Sequence, residues 1–171
     1  MGLGVKKPIA KLTGSLFSLG MIILKIMEIE QKYLPSEILK RAILSVEEYG
    51  WKRSDIFEVV EKAIEVGLGI IGGQVQFKFP EGTCELYWHK YDTIQRKPVE
   101  NWKKYCQRTK QEFLDKFKKI PTDLELVEEG INSFPFLKEK SNADIQIENY
   151  LIFILYFNAP SDDKTFKLRN V

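Results

Sequence analysis

A chain of 171 residues with 44% hydrophobic content is sized for one domain around one core, and two independent domains would leave each core thin. The formal charge of +2 is unevenly spread: residues 1–26 hold Lys6, Lys7, Lys11 and Lys25 and no acid, leaving 22 of the 26 basic residues against all 24 acidic ones. A near-neutral body argues against a nucleic-acid binder, which concentrates Lys and Arg on one face, and two cysteines make no disulfide framework, so the default compartment is reducing.

The first 26 residues combine a basic start with the apolar run Leu16 to Leu24, but Lys25 ends the run and no small-x-small cleavage site follows. Lys6 stands where a myristoylation signal needs Ser or Thr. Met27-Glu28-Ile29-Glu30 reads as the start of a soluble domain. The expected organisation is therefore an arm over 1–26 and a single α+β domain over 27–171. The arm is open to three readings: an upstream extension, a membrane-touching or secretory segment, or a docked helix. No apolar run, Tyr150 to Phe157 included, reaches the ~20 residues of a membrane-spanning helix.

From Pro35 to Tyr49 the stripe Ile38, Leu39, Ala42, Ile43 and Val46 predicts a first helix, ended by Gly50. Ser54 is the expected N-cap of a second, with Ile56, Val59, Val60, Ala63 and Ile64 facing inward and Gly67 stopping it. Gly67 to Gly72 matches G-x-G-x-x-G letter for letter. However, a dinucleotide site needs a strand before the glycines and a helix after, and here they close a helix and open a strand. Their expected roles are a C-cap at Gly67 and a bulge at Gly72-Gly73. Ile71, Val75, Phe77 and Phe79, a turn at Pro80 to Thr83, and Cys84 to Tyr91 then read as one β-hairpin.

Pro98 to Lys119 predicts the longest helix, with Trp102, Tyr105, Cys106, Thr109, Phe113, Phe117 and Ile120 as its inward stripe. Thr122 and Glu125 fit a capping box opening a short helix that Gly130 is expected to close. Ser133 to Asn142 reads as an exposed excursion, and the tail from Pro160 as frayed. Between them, 145–158 is apolar on both parities, as a strand inside a sheet would be. The predicted fold is thus α+β: an antiparallel sheet of about three or more strands, hairpin 69–91 plus strand 145–158, covered by an N-terminal helical hairpin and the helix 98–119.

The inventory of reactive residues is small. His89 is the sole histidine, in a predicted strand, and Cys84 lies on the opposite parity. No C-x-x-C, H-x-x-x-H or acidic calcium loop is present, so no metal or cofactor is expected. Large amphipathic residues do cluster: Tyr87, Trp88, Tyr91 and Asp92 at the hairpin exit, then Trp102, Tyr105 and Arg108, with Trp102 and Tyr105 expected in the core. Trp, Tyr and Arg anchor protein interfaces because they bury large area while keeping a polar handle.

Tyr49-Gly50-Trp51 followed by Asp55, the Gly-Gly-x-Val-x-Phe of Gly72 to Phe77, Gly82 with Glu85-Leu86, and Trp102-x-x-Tyr105-x-x-Arg108-Thr109 together resemble a family of bacterial polymorphic-toxin immunity proteins. The resemblance spans roughly Pro35 to Ile120. It implies a small cytoplasmic α+β protein, encoded beside a secreted toxin, that occludes the toxin domain without catalysis. The expected partner is that toxin domain, with no nucleic acid and no membrane involved, and Asp92, Glu100, Glu85 and Glu81 would suit a basic one. The candidate protein-binding residues are Trp88, Tyr91, Asp92 and Arg108. Two alternatives stand beside this reading: an enzyme with Cys106 or Cys84 as nucleophile, and a peripheral membrane or scaffold protein acting through the arm.

Overall fold

The computed structural model describes residues 29–160; the arm 1–26 and the tail 161–171 lie outside them. After a helical turn at 29–33 come α1 (Ser36–Leu39), β1 (Ile43–Ser45), β2 (Glu48–Trp51), α2 (Arg53–Glu65), β3 (Gly69–Phe79) and β4 (Gly82–Lys90). Then follow α3 (Trp102–Phe117), α4 (Asp123–Ser133), α5 (Pro135–Asn142), a 3-10 turn (Ile147–Tyr150) and β5 (Leu151–Asn158). The strands form one antiparallel sheet in the order β1-β2-β5-β3-β4. The α+β class, the hairpin, the long helix and the inner position of the C-terminal strand stand as expected. That strand begins only at Leu151, however, because Ile147 to Tyr150 coils into the 3-10 turn.

The predicted helix from Pro35 to Tyr49 does not form: α1 lasts one turn, and β1 and β2 make a second hairpin. Its two-residue turn, Val46-Glu47, places Val46 at φ 58, a conformation no helix tolerates. Pairing of Gly50 and Trp51 with Ile154 and Phe153 outweighs the local amphipathic pattern. Trp51 is fully buried, and its Nε1–H donates to the Ile38 carbonyl at 3.1 Å. The N-terminal cover is therefore α2 and the short α1, not a helical hairpin.

Other boundaries move for physical reasons. The residue before α2 is Lys52, not Ser54, and its ammonium donates to the Asn149 and Leu151 carbonyls. Helix α3 starts at Trp102, where the Asn101 side chain accepts from the Lys104 N–H. The Thr122–Glu125 capping box forms as expected. Gly130 does not end α4; a Cβ there would lie 2.7 Å from Phe77 Cε2 and 2.9 Å from Leu137 Cδ1, so this glycine is a close-packing residue. The excursion at 133–142 is helix α5, with Pro135 in its first turn and Leu137 buried. Gly67, at φ +82, does close its helix; the β3–β5 register shifts between Ile70 and Gly72, so the extra residue is Ile71, just before the expected Gly72-Gly73, both of which are paired.

The helices pack on one sheet face. Ile56, Val59 and Val60 of α2, Phe113 and Phe117 of α3, Leu126 of α4 and Leu137 of α5 share a core with Trp51, Val75, Phe77, Phe153, Leu155 and Phe157. The other face curls inward. In a flat sheet β1 and β3 would be about 14 Å apart at ~4.8 Å per strand. Yet the Ser45 hydroxyl on β1 donates to Gln76 Oε1 on β3 at 2.7 Å and lies 3.4 Å from the Thr83 hydroxyl on β4. The β1–β2 hairpin therefore folds over the concave side, where Ile152, Ile154, Ser45 and Gln76 are buried.

Glu30 is a cost within this fold. It is 1% exposed, neither carboxylate oxygen has a hydrogen-bond partner among the described residues, and burial pushes its pKa up to about 8. A carboxyl whose folded pKa is raised favours folding at low pH, so stability should fall as pH rises from about 4.5 to about 8 and then level off, a loss on the order of 4 kcal/mol. Glu30→Gln is expected to remove this slope and to raise the urea midpoint at pH 8, measured by urea titrations at several pH values.

Candidate functional site: the edge of strand β4

Strand β4 is an outer strand, and its exit is irregular. Leu86 pairs with Val75 but Lys90 pairs with Gln74, so Tyr87, Trp88 and His89 are three extra residues bulged out of the ladder. The bulge dissolves the parity argument that separated Cys84 from His89. It turns two large aromatics outward, Tyr87 at 61% exposure and Trp88 at 41%. Their rings meet edge to face at 4.9 Å, and Trp88 stacks on Phe134, which precedes α5, at 6.1 Å and 15°.

Glu129 on α4 holds the bulge. One carboxylate oxygen accepts from Trp88 Nε1–H at 2.6 Å; the other accepts from His89 Nε2 at 2.5 Å. A carboxylate only accepts, so that imidazole nitrogen carries the proton. The neighbouring Gly130 is what lets α4 press onto Phe77, and this contact sets the Glu129 carboxylate beside β4. Glu129 lies forty positions from His89 in sequence, and only the fold brings it across to β4.

The four predicted binding residues do not form one surface. Tyr91 is fully buried, with its hydroxyl donating to the Gln74 carbonyl at 2.8 Å and the Ile154 carbonyl at 2.7 Å, and its ring against Phe113 and Phe117. That places it in the core, not at an interface, because a residue two positions past a three-residue bulge no longer follows the strand's alternation. Asp92 is exposed, and its carbonyl accepts from the Lys116 ammonium. Among the described residues Arg108 shares no contact partner with Trp88. It donates to both oxygens of Glu100 at 2.8 Å, to Glu112 at 2.8 Å, and to the Ile94 and Gln95 carbonyls, stapling the connector 93–100 to α3. This pairing holds Glu100 down at about 2 and raises Arg108 further.

On the concave face Gln76 continues the chain from Ser45, donating to Glu48 Oε2 at 2.8 Å, while the Tyr156 hydroxyl donates to Glu48 Oε1. Val46, Glu47, Glu48 and Glu85 line a depression of about 180 Å³ at this mouth. Burial, and then the charge of Glu48, push the Glu85 carboxyl above its ordinary value.

Neither thiol is poised as a nucleophile. Burial pushes Cys84 up and Cys106 to about 11, and Cys106 Sγ sits 3.7 Å from the Gly67 carbonyl. Among the described residues no group of three or more His, Cys, Asp or Glu is placed to hold a metal ion, and no helix is long and apolar enough to cross a membrane. Fold and site thus define an α+β protein with a curled antiparallel sheet and a clamped aromatic bulge on one edge strand. No family model, curated protein or solved structure matches the chain.

Proposed function

We propose that this protein is an immunity protein: a cytoplasmic, non-catalytic binder that neutralises a toxin domain encoded by a neighbouring gene by covering its active site. The observation that carries the reading is the β4 bulge, where Tyr87 and Trp88 present a large aromatic surface already fixed by Glu129 and Phe134. A preordered aromatic anchor loses little side-chain entropy on binding, which is what a tight stoichiometric complex requires. The sequence resemblance supplies the kind of partner, and the clamped aromatics supply a physical means of binding it.

The test is a pull-down with the C-terminal ~120 residues of the adjacent open reading frame, a domain-sized piece. A one-to-one complex that silences that domain's toxicity is expected. Trp88→Ala should weaken it roughly 30-fold or more, as for a binding hot spot of about 2 kcal/mol, and should leave the melting temperature within a few degrees, since Trp88 is 41% exposed. No complex, or a complex indifferent to Trp88→Ala, would overturn the reading.

A further inference from the structure

Before its bulge, strand β4 runs in regular register along β3, with its far side at the edge of the sheet. Pro80 and Glu81 make the two-residue turn between the strands, closed by Phe79 paired with Gly82. In such a hairpin the closing pair exchanges backbone hydrogen bonds, and bonded and non-bonded pairs then alternate along the strands. Cys84 and Leu86 accordingly direct their N–H and C=O groups to Phe77 and Val75. Thr83 and Glu85, opposite Lys78 and Gln76, turn theirs to the outer edge. None of these outward backbone groups has a partner among the described residues. The bonds that the two residues do make run through side chains, Thr83 Oγ1 with Ser45 Oγ and Glu85 Oε1 with Gln76 Nε2. An unpaired edge is a template for another strand, and proteins blunt it with lysine, proline or a bulge. Residues 82–86 hold neither lysine nor proline, and the bulge begins only at Tyr87.

We propose that two copies of this chain pair antiparallel through their β4 edges over residues 82–86, making one sheet continuous across a two-fold axis at Cys84. The register selects a second copy as the occupant of the edge. Rotation about Cys84 sets Thr83 opposite Glu85 of the second copy and Glu85 opposite its Thr83, so the outward N–H and C=O groups of both copies satisfy one another. Charge agrees with this register, since each Glu85 faces a threonine and no like charges are directly opposed. The turn at Pro80 and the bulge at Tyr87 bound the same stretch in each copy, and Glu129 draws Trp88 and His89 towards α4, outside the pairing. Cys84 then faces Cys84 of the second copy as a non-bonded pair, with Cα atoms about 4.5 Å apart and within disulfide reach. The inference does not depend on the immunity reading and is tested on this chain alone.

So short a ladder makes a weak dimer. For a Kd of about 0.1 mM the full chain is mostly monomer at about 20 µM and mostly dimer at about 1 mM. Amide exchange of the ¹⁵N-labelled chain, read by NMR, should be fast at Thr83 and Glu85 and slow at Cys84 and Leu86 in the dilute sample. At the higher concentration Thr83 and Glu85 should slow about threefold. Diamide takes one hydrogen from each of two facing thiols and is itself reduced to the hydrazine as the S–S bond forms. In the concentrated sample it should join two copies through Cys84, Cys84→Ser should abolish the product, and Cys106→Ser, at a buried thiol, should not. Thr83→Glu sets like charges opposite each other in both bonded pairs and should weaken pairing about fivefold; adding Glu85→Lys in the same chain should restore it.

Exchange at Thr83 and Glu85 that does not change with concentration, a disulfide through Cys106 or none at all, or a Thr83→Glu chain that pairs as well as the parent would overturn the proposal. Restoration by Glu85→Lys supports this register in particular, and its failure would overturn it.

Discussion

Alanine at Gly73 is expected to abolish or severely weaken folding, because this glycine lies where the core is least able to yield. A Cβ there would overlap the Ile154 carbonyl oxygen and Cε2 of Tyr91, and would stand 2.9 Å from the Ile154 carbonyl carbon. The obstacle is backbone of β5, the strand paired on both sides within the sheet, so no flexible side-chain end can swing away. Relief would require separating β3 from β5 or expelling the Tyr91 ring, which bridges Gln74 and Ile154 through its hydroxyl. The expected loss is about 4 kcal/mol or more, at the upper end for single substitutions and comparable with the whole stability of a modest domain. Gly82→Ala is the control. Nothing lies within 4 Å of its Cβ position, and its urea midpoint should hardly move. Equal midpoints for the two variants would show that β3 and β5 are not packed as described.

Arg108→Ala should be the second most damaging change, through a different mechanism. It leaves Glu100, 8% exposed, without its bidentate partner and frees the Ile94 and Gln95 carbonyls. Breaking a fully buried pair costs about 3–5 kcal/mol; with the Arg108 side chain 22% exposed, about 2–3 kcal/mol is expected. The variant also carries a pH signature. Glu100 has a folded pKa of about 2, depressed first by its hydrogen bonds from Arg108, so the stability it contributes is present above about 4.5 and is lost as pH falls towards 2. Urea titrations across that window should show a steep acid limb in the parent chain and a flatter one in Arg108→Ala. Hydrogen exchange over 93–100 should quicken in the variant, and Arg108→Lys should rescue only part of the loss, since a point charge cannot reproduce the fork.

Both effects concern residues that the sequence reading assigned differently. Arg108 and Tyr91 were candidate interface anchors by residue type, and residue type does not separate an anchor that faces solvent from one that faces the core. Ile56, Val59, Val60, Tyr105, Phe113 and Phe117 were legible because their helical period states which face is inward. The Thr122–Glu125 box was legible because both partners lie within one turn. The hairpin Ile43 to Trp51 was not, since its apolar spacing also fits a helix and is decided by pairing with β5, about a hundred residues away.

The bulge at 87–89 was hidden for a related reason. Glu85 to Tyr91 reads as an uninterrupted aromatic strand, and the carboxylate that holds two of the bulged residues, Trp88 and His89, belongs to Glu129, about forty positions on. Trp88 was nevertheless found from sequence as an exposed candidate, and Phe134 and Glu129, which make it rigid, were not.

The proposed function turns on whether the clamped aromatics are the binding surface. Hydroxyl-radical footprinting of the free protein and of its complex with the proposed toxin partner tests this directly, because Tyr87 and Trp88 are reactive and exposed while Trp51 is fully buried and serves as an internal reference. Oxidation of Tyr87 and Trp88 is expected to drop several-fold on complex formation, with Trp51 unchanged. A stable complex in which Tyr87 and Trp88 are oxidised as readily as in the free protein would contradict it.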